Sequence, residues 1–203
     1  ATMTCEFLGL PEELAPEVLA AVNGGTLAQP GEGVEIANAR PGYLSYLTPI
    51  IEARRAAGEP MAYILGRREF LGRDFQVTPD VLIPRPETEL LVDAALRALA
   101  GREAPRVLDL GTGSGAVAIS IALARPDARV DATDLSAASL EVAAANARAL
   151  GASLQFFHGN WYDSRLGLAQ YDLIVSNPPY IRAGDPHLGQ GDLRFEPAAA
   201  LTD

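Results

Sequence analysis

The stretch Arg106-Val107-Leu108-Asp109-Leu110-Gly111-Thr112-Gly113-Ser114-Gly115-Ala116-Val117-Ala118-Ile119-Ser120-Ile121-Ala122-Leu123-Ala124 decides the fold. Val107 to Leu110 is a short apolar run of strand character that carries one carboxylate, Asp109. Gly111 to Gly115 is a turn with a glycine at every second position. Ala116 to Ala124 is a run of small and apolar residues, which predicts a helix able to lie close on a sheet. Pro126-Asp127 stops it. The pattern then repeats. Val130 to Thr133 is a second strand ending in Asp134, and Ser136 caps a helix over about 137–150, with Gly151 just beyond its end. Leu154 to Phe157 is a third strand and Tyr171 to Ser176 a fourth. Consecutive strand–helix–strand units predict an α/β fold with a parallel, doubly wound sheet.

A glycine turn after the first strand lets a backbone approach a ligand, and a carboxylate at the end of the second strand can bind ribose hydroxyls. Asp134 lies 21 residues after Gly113, which suits both NAD and S-adenosyl-L-methionine. Asp109 discriminates between them. NAD presents a pyrophosphate at this turn, and a carboxylate beside it would repel. S-adenosyl-L-methionine has no phosphate, and its methionine end carries an ammonium and a cationic sulfur. The spacing is also Gly-x-Gly-x-Gly, not Gly-x-Gly-x-x-Gly. The expected cofactor contacts are therefore Asp109, Gly111, Thr112, Gly113, Ser114, Gly115 and Asp134. Asn160-Trp161, after the third strand, is placed to meet the adenine through an amide and an apolar wall, although a lone Trp also serves as core.

The fourth strand runs into Ser176-Asn177-Pro178-Pro179-Tyr180. Two prolines cannot continue a ladder, so they make a rigid corner where ligands of open α/β sheets bind. Asn177 adds a side-chain carbonyl, the Pro178 backbone adds another, and Tyr180 adds a flat face. Two acceptors and a plane suit the grip of a planar NH2 group. Asn177, Pro178 and Tyr180 are the catalytic candidates, with Asn177 also facing the donor.

Upstream, Pro11 to Val22 has amphipathic helical spacing, residues 23–42 are broken by glycine and proline, and Tyr43 to Ala57 resumes a helix that Gly58 ends. Residues 1–57 are expected to form a small helical region, 58–87 a connector with a hairpin, and 88–203 the catalytic domain. Ala62-Tyr63-Ile64-Leu65 and Arg68-Glu69-Phe70-Leu71 read as short strands or turns. Gly72-Arg73-Asp74 reads as a hairpin turn before Phe75-Gln76-Val77. In Val81-Leu82-Ile83-Pro84-Arg85-Pro86-Glu87-Thr88-Glu89 the prolines set an extended segment, and a helix starts at Glu87 or Thr88 and runs to about Ala100. Two readings stand for the charges here: solvated groups at a helix start, or substrate contacts from Arg85 and Glu87.

The composition narrows the class. Among 203 residues, 48% are hydrophobic and 21% charged, as in ordinary globular domains. No apolar run approaches membrane-spanning length, so no membrane partner is expected. One cysteine, Cys5, allows no internal disulfide and fits a reducing cytoplasm. His158 and His187 are too far apart in sequence to suggest a metal site. A net charge of −10 without a basic stripe argues against direct nucleic-acid binding.

From about Gly58 onward the sequence resembles the HemK/PrmC-type protein-(glutamine-N5) methyltransferases. The matching stretches are Gly58-Glu59-Pro60-Met61-Ala62-Tyr63-Ile64-Leu65-Gly66, Val81 to Glu89, Leu108 to Gly115 and Ser176-Asn177-Pro178-Pro179-Tyr180-Ile181. Asp185-Pro186-His187-Leu188 and Arg194-Phe195-Glu196-Pro197 follow as in that family. The resemblance implies a Rossmann-like class I methyltransferase domain with S-adenosyl-L-methionine as donor. It implies the Gln of the Gly-Gly-Gln loop of peptide chain release factors as acceptor. By that carry-over the Gly111–Gly115 loop, Asp134 and Trp161 contact the donor, and Asn177, Pro178, Pro179 and Tyr180 hold the acceptor. Asn160 stands where the family usually has Asp, and residues 1–42 match the family's N-terminal bundle poorly. Only 23 residues follow Tyr180, so the sheet is expected to be incomplete at the C-terminus, with an unprotected fourth-strand edge. Three alternatives remain: adenine-N6 methylation of nucleic acid, which shares the Asn-Pro-Pro-Tyr grip; methylation of a ribosomal-protein glutamine; and a binding fragment without turnover.

Overall fold

The computed structural model describes residues 41–161 and 170–202. The helix expected at Pro11–Val22 lies outside them. The chain divides into two compact units between Gly66 and Arg67, inside the stretch expected to be a connector.

The first unit contains α1 (Pro41–Ala56) and α2 (Met61–Leu65). The second helix corrects the expectation of a strand or turn at Ala62–Leu65. Pro60 enters it with an extended ψ of 133°, and Gly66 closes it in the left-handed conformation, where its N–H reaches the Ala62 and Tyr63 carbonyls. A β-branched and aromatic run this short takes its conformation from such ends.

In the second unit β1 (Arg67–Phe70) and β2 (Arg73–Gln76) form an antiparallel hairpin. Its turn is Leu71-Gly72, one residue earlier than expected, with φ of +49° and +74°. Both central residues at positive φ make a turn whose twist matches the strands. The backbone N–H of Leu71, an unusual residue there, is held by Glu89 Oε1 at 3.1 Å. A 3₁₀ turn at Pro86–Thr88 precedes α3 (Glu89–Ala98), so the α-helix starts later than the capping residues suggested. Thr88 accepts no cap bond; its own N–H goes to Arg85 O at 3.0 Å, the tight turn set by the flanking prolines.

The main sheet contains β3 (Arg106–Leu110), β4 (Arg129–Asp134), β5 (Gln155–His158) and β6 (Leu173–Ser176), all parallel, in the order β5-β4-β3-β6. Helix α4 (Ala116–Ala124) follows β3, and α5 (Ala137–Leu150) follows β4. Both match the expected spans. Ser136 Oγ accepts the Ser139 N–H at 3.1 Å, and Gly151 ends α5 at φ +72°. This is the strand order of a doubly wound sheet, whose direction reverses between β3 and β6. Val107, Val130, Ala132 and Val175 pack with α4, while Leu108 and Leu110 are buried on the other face against Phe157 and Tyr171. Burial on both faces explains why these strands read as apolar runs. Tyr171 and Asp172 stop short of β6 and serve as an anchor: Asp172 Oδ2 accepts the Arg106 N–H at 2.8 Å, and Tyr171 Oη donates to Asp131 Oδ2 at 2.8 Å. Among the described residues, β6 has no outer neighbour in the sheet, and no helix is long and apolar enough to cross a membrane.

Candidate functional site

The glycine loop leaves β3 over the end of β4. The Gly111 and Thr112 N–H groups both donate to Thr133 O at 2.9 Å, and Gly115 N–H donates to Thr112 O at 2.9 Å. Gly115 has φ +83°, and a Cβ there would stand 2.7 Å from Ile119 Cδ1 and 3.2 Å from Ala143 Cβ. It is the point where the loop lets α4 and α5 close on each other. Gly113 has φ +55° with nothing within 4 Å of a Cβ. Its exposed side is open, as backbone that receives a ligand must be.

Asp134 organises this loop. Its Oδ2 accepts the Gly113 N–H at 2.8 Å and its Oδ1 the Ser136 N–H at 2.9 Å. Each oxygen retains capacity for a further donor, such as a ribose hydroxyl. Asp109 lies deeper than the sequence suggested, at 2% exposure. Thr112 Oγ1 donates to Asp109 Oδ2 at 2.8 Å, and the Ala118 N–H also reaches the carboxylate. Burial pushes this carboxyl from 3.8 up to about 6 against those two hydrogen bonds, and the nearby Asp134 charge adds to the rise. Asp109 therefore puts negative charge under the loop, where a cationic ligand would offset it.

The expected adenine residues lie just past β5. Gly159 N–H donates to Asp134 O at 3.1 Å and His158 Nε2 is 2.9 Å from Leu135 O, which ties this end of β5 to the end of β4. Asn160 is exposed, and Trp161 is 50% exposed at φ +46°. Half of the Trp161 side chain faces solvent.

The Asn-Pro-Pro-Tyr corner begins beside the glycine loop. Leu110 of β3 pairs with Ser176 of β6, and Ser176 Oγ donates to Leu110 O at 2.8 Å. The next residues in the chain are Gly111 and Asn177, so the loop and the corner leave adjacent strands side by side, at the point where the strand order reverses. Asn177 is half-buried and its side chain bonds to no described residue. Tyr180 is 82% exposed.

A cleft of about 410 Å³ opens at this corner, lined by Asn177, Pro178 and Tyr180 together with Leu82, Arg85, Glu87 and Thr88. The structure thus brings the Pro-Arg-Pro-Glu segment to the corner. Its three charged residues separate in role. Glu89 is used by the hairpin turn, Arg85 pairs with Glu196, and Glu87 is exposed on the cleft without a partner among the described residues. Pro179 follows Pro178 at the corner but does not line the cleft.

Two residues that hold this region had no role assigned from the sequence. Asn146, buried in α5, accepts the Gln76 N–H at 2.7 Å and donates to Gln76 O and to Ser114 O, at 3.0 and 2.9 Å. It fixes the loop to the hairpin. Its only signal was an amide inside an alanine-rich helix. Glu196 is buried and accepts the Ile83 N–H at 3.0 Å as well as the Arg85 guanidinium. Its signal was a carboxylate flanked by Phe195 and Pro197, which did not reveal its partners.

Known proteins resemble this chain in sequence and in fold. The family model of the methyltransferase small domain matches residues 87–191. The release factor glutamine methyltransferase of Bordetella pertussis is 65% identical over 75% of this chain and 57% of its own length. That of Neisseria gonorrhoeae is 62% identical over 74% of this chain and 55% of its own. The chain spans somewhat over half the length of these curated relatives. A T. thermophilus 16S rRNA methyltransferase, solved with AdoMet and guanosine, superposes with a TM-score of 0.50 at 29% identity, over 58% of this chain and 33% of that one. With its glycine loop, its second-strand carboxylate and its fourth-strand corner in the matched span, the chain belongs to the methyltransferase small-domain family.

Proposed function

We propose that this chain transfers a methyl group from S-adenosyl-L-methionine to the side-chain amide nitrogen, N5, of the glutamine in the Gly-Gly-Gln motif of peptide chain release factors. The observation that carries the reading is the Leu110–Ser176 pairing, which sets a glycine loop beside Asn177, whose side chain bonds to no described residue. The names of the relatives support the choice of acceptor.

The donor supplies a methyl group on a cationic sulfur. The protein's residues fit it: Gly113 leaves open backbone, Asp134 keeps acceptor capacity, and Asp109 supplies negative charge. The chemical difficulty lies with the acceptor. An amide nitrogen is a poor nucleophile, because its lone pair is delocalised into the carbonyl. The Asn177 side-chain oxygen and the Pro178 carbonyl accept its two hydrogens and hold them in the geometry of a pyramidal nitrogen. The Tyr180 ring covers the amide plane. Alignment of nitrogen with methyl is then a matter of position, which the adjacent strands provide. As the nitrogen bonded to the methyl carbon, the carbon–sulfur bond would break and S-adenosyl-L-homocysteine would leave; the nitrogen, acidic at that stage, would lose one proton to water, so a strong base is not required.

Methylation of a nucleobase amine is the second reading, since the T. thermophilus rRNA enzyme superposes on the same domain. The charge of −10 opposes it. Labelled donor, offered with a release factor and with the same factor carrying Gln→Ala in Gly-Gly-Gln, tests the assignment. Label is expected in the first alone. Equal label in both removes the glutamine as acceptor.

A further inference from the structure

The residues after the corner fold back on it. Three 3₁₀ turns, at Pro186–Gly189, Gly191–Phe195 and Ala198–Ala200, carry the chain round to residues 201–202. There the Ile181 N–H donates to Leu201 O at 2.9 Å, and Ile181 forms a parallel bridge with Thr202. Leu201 is buried and lines the cleft. One end of this segment is therefore fastened to the wall that carries Asn177.

Its middle reaches the Leu82–Thr88 lining of the cleft through Glu196. The Glu196 side chain has no exposed surface, while that of Arg85 is 30% exposed and lines the cleft. Glu196 Oε1 takes the Ile83 N–H at 3.0 Å, and Oε2 takes the Arg85 guanidinium. The Ile83 and Pro84 side chains are buried, and Glu196 adds the polar tie to this segment. Pro84 donates no hydrogen bond, and the segment belongs to no strand. A buried carboxylate is expensive unless paired, and this one is paired only by the wall it secures.

We propose that residues 182–202 are a strap setting the width of the acceptor cleft, and that Glu196 is its positioning residue. Glu196 acts through Ile83 and Arg85 and does not touch the acceptor. The proposal rests on the cleft being the acceptor site, but its first two tests do not. In Glu196→Ala, hydrogen exchange in residues 82–88 should rise tenfold or more, while exchange in β3 and β4 stays as in the parent. Donor affinity by titration calorimetry should stay within twofold. Transfer to a release factor should lose tenfold or more in kcat/KM, mostly through KM. Glu196→Gln keeps one acceptor for Ile83 and should fall between; if the alanine variant does not fold, it carries the same comparisons. Unchanged exchange in 82–88, or a rise spread evenly over the domain with loss of donor binding, would overturn the strap. If the parent chain transfers no methyl at all, the acceptor assignment fails, and the exchange and donor results still decide whether Glu196 holds the wall.

Discussion

Replacing Asp109 by asparagine removes a carboxyl group that is 2% exposed and whose pKa burial raises from 3.8 to about 6. A raised folded-state pKa means that the native protein binds more protons than the unfolded chain between those two values. Stability contributed by this group therefore falls as pH rises through that window and stays low above it. Just over two pH units correspond to about 3 kcal/mol at full effect. Asparagine has nearly the same shape and does not titrate. It keeps one acceptor for the Thr112 hydroxyl or the Ala118 N–H but leaves an NH2 group to satisfy, which costs on the order of 1–3 kcal/mol at every pH. The pH-dependent part is cleaner than the absolute change. Relative to the parent, Asp109→Asn should gain about 2–3 kcal/mol on going from pH 4 to pH 7.5. Urea unfolding of both proteins at these pH values measures it. The variant should also bind donor more weakly, since the buried charge under the loop is gone. Parallel pH profiles for the two proteins would refute the argument, because they would mean that Asp109 ionises at no extra cost in the folded state.

Asp134→Ala should weaken donor binding by about 1–3 kcal/mol in calorimetry, through loss of its hydrogen bonds to ligand and to Gly113; unchanged affinity would remove Asp134 from the site. Asn177→Ala should leave donor affinity near the parent value and lower transfer a hundredfold or more, in line with about 2.7–4 kcal/mol for a preorganised polar group; near-parent turnover would show that the amide is not gripped there. Gly115→Ala should destabilise by about 1–3 kcal/mol, because its Cβ meets Ile119 and Ala143. Gly113→Ala meets no atom within 4 Å and should lose only about 1 kcal/mol for its positive φ. Equal melting temperatures for the two would contradict the close approach at Gly115.

The repeating part of the fold was legible because its signals are local. The glycines, Ser136 and Gly151 mark boundaries that depend on a few neighbouring residues, and α4 and α5 fell where expected. The helix at Met61–Leu65 was misread because five residues give too little period to separate helix from strand, and Pro60 and Gly66 decided the outcome. The hairpin turn was placed one residue late because Leu71 at positive φ goes against local preference; Glu89, 18 residues away, holds its N–H. The site was legible as a set of motifs but not as an arrangement. Asp109 was visible as a carboxylate, but not as one buried under the loop. Arg85, Glu87 and Glu89 were visible as a cluster, and only the fold shows that two are engaged elsewhere. Asn146 and Glu196 act across 32 and 113 residues, and such pairings depend on tertiary packing.

The central claim is tested most directly by mass spectrometry of a release factor incubated with this chain and S-adenosyl-L-methionine. The account predicts the mass of one added methyl group, with fragmentation placing it on the glutamine of Gly-Gly-Gln. A release factor left unmodified by a chain that binds the donor, or a methyl group on any other residue, would contradict it.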